Sequence, residues 1–141
     1  FARSGRECRH NLKYWSCGEY IGFGASAHSY FGGIRYAYLS DFNVYTECVL
    51  TRDFEKIITQ QNIITPQESE SEYIMLSLRL SEGICTEEFR RRYNKDFEQI
   101  YRPRLERFIE TGYAVCDGRR CFLTPRGMFV SNYILSSIID F

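Results

Sequence analysis

Tyr113–Pro125 reads YAVCDGRRCFLTP. Two short runs, Tyr113 to Cys116 and Arg120 to Leu123, flank the pair Asp117-Gly118, which is a strong hairpin signal because both residues tolerate the tight turn. Thr124 and Pro125 then mark a helix start: threonine caps the first free backbone N–H groups and proline fits the first helical turn. A hairpin running directly into a helix start places the segment in a mixed α+β unit.

Upstream, Asp96 precedes a helical pattern carrying Phe97, Ile100, Leu105, Phe108 and Ile109 and ending at Gly112. Pro103 marks the first turn of that helix's main part or a kink within it. Thr86, Glu87 and Glu88 open a shorter helix through about Tyr93. Before it, Ser69 or Ser71 caps a helix whose first turn holds Glu70 and Glu72. Its broad apolar face is Tyr73, Ile74, Leu76, Leu78 and Leu80, and Gly83 ends it. Downstream of the hairpin, Met128, Phe129, Ile134, Leu135 and Ile138 supply a final helix. Three helices, a small hairpin and a terminal helix are the order expected of a winged-helix-like module, here residues 66–141.

Thr65 and Pro66 punctuate the boundary with what precedes. Between Ser40 and Gln61, Phe42, Tyr45, Val49, Leu50, Phe54, Ile57 and Ile58 are spaced for one helix and then a half-turn or second short helix. From Phe1 to Tyr38 the chain is rich in glycine and aromatic residues, and Glu19 to Gly24 and Gly33 to Tyr38 read as strands joined by tight turns. Such strands, in residues 1–65, would leave sheet edges that another part of a protein normally covers. The chain also starts at Phe1 and enters at once into this dense segment, as a piece of a larger protein would.

Composition narrows the classes. The 141 residues are 44% apolar, with 18 basic and 18 acidic side chains, enough for one good core or two small ones and without a net field toward nucleic acid or an anionic membrane. No run approaches the roughly twenty apolar residues of a membrane span, and the start does not resemble a signal peptide, so the expected compartment is the cytoplasm. Cys8, Cys17, Cys48, Cys85, Cys116 and Cys121 lack paired short spacings, and reduced thiols are expected.

Two stretches carry a family resemblance. His10-Asn11-Leu12-Lys13-Tyr14-Trp15 fits HNxxYW, and Gly18-Glu19-Tyr20-Ile21-Gly22-Phe23-Gly24-Ala25-Ser26-Ala27-His28-Ser29 follows it in the order of a signature of the HemW-like branch of the radical SAM, oxygen-independent coproporphyrinogen III oxidase-like family. Glu72 to Gly83 and Leu123 to Asn132 resemble the first and last helices of that family's carboxy-terminal domain. The resemblance implies the end of a radical SAM barrel in residues 1–65, followed by the winged-helix-like domain. It implies a role in haem metabolism: haem binding and delivery to an acceptor protein in the HemW branch, or oxidation of coproporphyrinogen III in the oxidase branch. It also implies a 4Fe-4S cluster and S-adenosylmethionine in an amino-terminal radical SAM domain, because the CxxxCxxC loop that would hold the cluster does not occur in these residues.

Within that frame His10 is the candidate haem ligand, Tyr14 and Trp15 offer flat apolar surfaces to a porphyrin, and Asn11 can orient the histidine or a propionate. The competing reading makes the same residues packing elements with satisfied polar groups. His28 is a second candidate contact. Gly22 and Gly24 would let backbone approach a cofactor, although GxG without a following helix reads first as a turn. Arg90, Arg91, Arg92, Arg119 and Arg120 stand where a DNA-binding winged helix would meet phosphates. Glu98, Glu106 and Glu110, interleaved with Arg102, Arg104 and Arg107, argue against nucleic acid and leave propionates or an acidic partner as alternatives.

Overall fold

The structure, a computed structural model, describes residues 5–139. In chain order its elements are α1 (Arg9–Trp15), β1 (His28–Phe31), β2 (Ile34–Tyr38), α2 (Phe42–Thr51), β3 (Ile58–Ile63), α3 (Pro66–Ser77), β4 (Ile84–Cys85), α4 (Thr86–Tyr93), α5 (Phe97–Ile100), α6 (Arg102–Glu110), β5 (Ala114–Cys116), β6 (Arg120–Leu123), α7 (Pro125–Phe129) and α8 (Ser131–Ile138). They fall into two units, one joining residues up to Cys17 with those from Pro66 onward, the other spanning Gly18–Thr65.

The first unit has the better core. Ile74, Leu78, Ile84, Phe89, Phe97, Leu105, Ile134 and Ile138 are fully buried. Phe89 sits at the middle of an aromatic group, with ring centroids 5.1 Å from Tyr93, 5.3 Å from Phe97 and 5.9 Å from Tyr101, spacings at which edge and tilted rings attract. A three-stranded antiparallel sheet ordered β4-β6-β5 lies in this unit. Gly127 is needed here, because a Cβ on it would run into the carbonyl oxygen of Tyr113; its absence lets α7 close against the start of the hairpin. Gly83, at φ +64°, is similarly crowded by the backbone of Cys121 and Phe122.

The second unit is a three-stranded antiparallel sheet ordered β1-β2-β3 with α2. Asp41 caps α2, accepting from the backbone N–H groups of Asn43 and Val44. Its buried apolar residues are few, among them Ala37, Cys48 and Ile57.

Several expectations are corrected. Arg9–Trp15 is a helix, although no residue of it is buried, so no apolar stripe could announce it. Glu19 to Gly24 is not a strand; its one ladder contact is a bridge between Tyr20 and Tyr30. Ile58–Ile63 is a strand where a half-turn or short helix was expected, and all six residues are exposed, which leaves the backbone pairing with β2 as the force that holds it. The helix expected to begin at Ser69 or Ser71 begins at Pro66, and it stops at Ser77, short of Gly83. Cys116 and Cys121 are joined as a disulfide, while Cys8, Cys17, Cys48 and Cys85 are free thiols. No helix among the described residues is long and apolar enough to cross a membrane.

Candidate functional site

The HNxxYW segment is α1. Its backbone closes through Leu12 N–H to Cys8 O at 3.0 Å and Ser16 N–H to Leu12 O at 2.9 Å, and Cys17, at φ +56°, turns the chain out of the helix. Residues four apart share a helix face. His10 Nε2 and Tyr14 Oη accordingly lie 3.1 Å apart, with the rings edge-on at 5.0 Å and 86°. His10, Asn11 and Tyr14 are exposed and Trp15 is half-buried. Among the described residues the segment is thus largely presented to solvent.

For a haem iron, this face offers one imidazole and an adjacent phenol. If the Tyr14 hydroxyl donates to Nε2, it occupies the lone pair an iron would need; if Nε2–H donates to Tyr14, the lone pair resides on Nδ1. In the first case no ring nitrogen of neutral His10 is open to a metal, and in the second only Nδ1 is. An imidazole beside aromatic rings is a set of residue types that could hold a tetrapyrrole iron. No group of three or more His, Cys, Asp or Glu side chains able to hold a metal ion converges among the described residues.

Gly22, Gly24 and His28 belong to the second unit. Gly22 N–H donates to the Oγ of fully buried Ser29 at 3.0 Å, and a Cβ on Gly22 would collide with the His28 carbonyl oxygen. Gly24, at φ +107°, donates its N–H to Tyr45 Oη at 3.2 Å. Both glycines therefore shape a tight loop whose backbone donors are already used. His28 is exposed at the first position of β1. Tyr38, close to Tyr36 and Tyr45, has its hydroxyl pKa raised by burial first and by Tyr36 second.

The arginines of α4 and its neighbours are largely neutralised. Arg91 and Arg92 both bond Glu88, at 2.8 and 2.6 Å, Arg90 pairs with Asp96, and Arg102 bonds Glu98 at 3.0 Å. Glu88 is held below the usual carboxylate range by the hydrogen bonds from Arg92 and then Arg91.

Two features escaped the sequence reading. Glu70 is buried, yet its oxygens accept from Lys95 Nζ at 2.5 Å and Tyr101 Oη at 2.9 Å, and beside it opens a groove of about 520 Å³ also lined by Arg92, Tyr93 and Arg104. The signal was present: Glu70 lies three and four residues before Tyr73 and Ile74, on the buried face of its helix, where a carboxylate requires partners. The second feature is a 300 Å³ cleft around Arg107, Phe108, Tyr113 and Tyr133, whose residues come from separate elements and form no motif.

Residues 64–130 match the family described as HemN C-terminal domain. A protein of Bacillus subtilis named "Heme chaperone HemW" is 29% identical over 139 residues, covering 99% of this chain and 36% of that protein. Proteins of the same name from Lactococcus lactis and Escherichia coli are each 29% identical, over 99% and 96% of this chain. The chain spans about a third of the length of these relatives. Among solved structures, "Coproporphyrinogen III oxidase (HemN) from Escherichia coli is a Radical SAM enzyme" superposes with a TM-score of 0.64 at 15% identity, over 86% of this chain and 28% of that one. That likeness is one of fold: the mixed helix and sheet architecture resembles the corresponding part of HemN.

Proposed function

We propose that this chain, which matches the HemN C-terminal domain family over residues 64–130 and resembles proteins named heme chaperone HemW along nearly its whole length, is the carboxy-terminal part of a haem-binding and haem-delivering protein. The observation that carries this reading is the solvent-facing α1, on which His10, Asn11 and Tyr14 are exposed with Trp15 half-buried beside them. Haem is the cargo. His10 would hold the iron through its imidazole, the Tyr14 hydroxyl would decide whether a ring nitrogen is free to do so, and Trp15 would offer a flat edge to the macrocycle.

In this reading the unit containing α3 to α8 is a winged-helix-like domain, with β5 and β6 as the wing. The strands of residues 18–65 close the end of a radical SAM barrel, and Gly22, Gly24 and His28 lie toward its cofactor side. The 4Fe-4S cluster and S-adenosylmethionine belong to an amino-terminal radical SAM domain in the remaining two-thirds of a HemW-length protein, so the piece described here does no radical chemistry alone. A cytoplasmic location and a haem-acceptor protein complete the reading. Nucleic acid does not enter it.

The test is a haem titration of the chain beside His10→Ala and Tyr14→Phe. A saturable Soret shift is expected, weakened at least about tenfold, or ~1.4 kcal/mol, in His10→Ala and retained in Tyr14→Phe, which frees Nε2. Equal shifts in the parent chain and His10→Ala would remove His10 from the site. Conversion of coproporphyrinogen III by a HemW-length form, with consumption of S-adenosylmethionine, would favour the oxidase reading. A salt-dependent duplex shift without a haem effect would favour a bare winged-helix interaction module.

A further inference from the structure

Arg90, Arg91, Arg92 and Arg102 have carboxylate partners, whereas Arg107 and Arg126 bond neutral groups. Arg107 lies over the Phe108 ring at 4.5 Å and the Tyr133 ring at 5.4 Å, and its hydrogen bond goes to the neutral Ser137 hydroxyl at 2.8 Å. Arg126 lies over the Tyr113 ring at 4.9 Å and reaches the Tyr113 hydroxyl at 3.4 Å. Arg107 lines the cleft of about 300 Å³ together with Phe108, Thr111, Tyr113, Val130 and Tyr133, and Arg126 reaches it through its stack on the Tyr113 ring. Its rim continues into large exposed apolar surface: Phe129 is 91% exposed, Tyr133 61% and Val130 41%.

We infer that this cleft is a docking surface for an acidic protein segment that places one bulky apolar side chain between Tyr113 and Tyr133 and carboxylates on Arg107 and Arg126. Charge complementarity identifies the occupant. Stacking on aromatic rings holds both guanidiniums in place without neutralising them, so each keeps hydrogen-bonding capacity for a planar carboxylate. Arginine with aromatic residues is also the composition enriched in protein interfaces and their energetic centres. The cleft stands at the lower edge of the about 300–1,000 Å³ of small-molecule sites, which suits one side chain better than a whole flat cofactor. The exposed Phe129, next in the chain to Val130, adds apolar surface outside the lining, as a protein partner would use and a small ligand would not. This surface is independent of the haem reading at His10.

The experiment follows backbone amide NMR shifts of the isotope-labelled chain during titration with the blocked peptide Asp-Glu-Leu-Phe-Glu-Asp. Its counterpart with lysine in place of every acid is the control. Saturable shifts at residues 107–113 and 126–133, weakening with added salt and absent with the basic peptide, are expected. Affinity should fall at least about tenfold in Arg126→Glu and in Phe129→Ser, both at exposed positions that the core does not need. No localised shift up to about 1 mM peptide, or equal shifts with both peptides, overturns the inference. So does a chain that dimerises and becomes monomeric in Phe129→Ser, which would make a second copy the occupant. Loss of the peptide response in a HemW-length form would likewise overturn it, by assigning the cleft to the rest of the protein. Haem binding through His10 is unaffected by any of these outcomes, so the two readings fail separately.

Discussion

Glu88 shows how single residues couple charge to stability in this protein. Its carboxylate receives Arg92 and Arg91 and is shifted below its ordinary range by those bonds. Asp96, bonded by the Gln99 backbone N–H and then by Arg90, and Asp117, bonded by the Arg120 and Arg119 backbone N–H groups, are shifted the same way. A group whose folded pKa is depressed binds fewer protons in the folded state, so its contribution is complete above the unfolded value of about 4 and vanishes as pH falls through the lower folded value. Thermal unfolding followed by circular dichroism should therefore show a Tm that declines on acidification below about pH 4. Glu88→Gln should start lower at neutral pH and decline less steeply. Parallel curves for the two proteins would mean that the Arg91 and Arg92 bonds contribute nothing.

At the scale of the element, the hairpin was legible in kind but not in register. A turn centred on Asp117-Gly118 would set Cys116 opposite Arg119. In the structure Asp117 N–H donates to Arg120 O, and Asp117 Oδ1 accepts from the Arg119 and Arg120 N–H groups. The aspartate side chain thereby moves the turn centre to Gly118-Arg119 and sets Cys116 directly opposite Cys121. A local hydrogen bond invisible in the residue order thus converts two scattered cysteines into a cross-strand pair.

The same scale explains α7. Alanine is a better helix former than glycine by about 1 kcal/mol, so propensity alone has Gly127→Ala stabilising the protein. The Tyr113 carbonyl occupies the space its methyl would need, and the account expects instead a loss of about 1–3 kcal/mol in chemical denaturation. An unchanged or raised midpoint would show that α7 does not pack on the hairpin as described.

Across the whole molecule, legibility follows burial. From Pro66 onward the helical segments were legible, because Ile74, Leu78, Phe89, Leu105, Ile134 and Ile138 are core residues, but the single helices expected over Phe97–Ile109 and Met128–Ile138 are each broken in two. The two-residue β4 was too short to signal itself. Gly18–Thr65 was read less well: β3 buries none of its side chains, so its pattern carries no period, and Gly22 and Gly24 are tied into a loop rather than a strand. The candidate site was named from HNxxYW, but its helical presentation was not foreseen, since α1 has no buried face. That presentation is what brings His10 and Tyr14 together.

His10 on this exposed helix is proposed to bind haem iron. The most direct test is electron paramagnetic resonance of the ferric haem complex of the chain, compared with His10→Ala and His28→Ala. The account predicts a histidine-ligated iron signal that is lost in His10→Ala and kept in His28→Ala; a signal that survives in His10→Ala would contradict it.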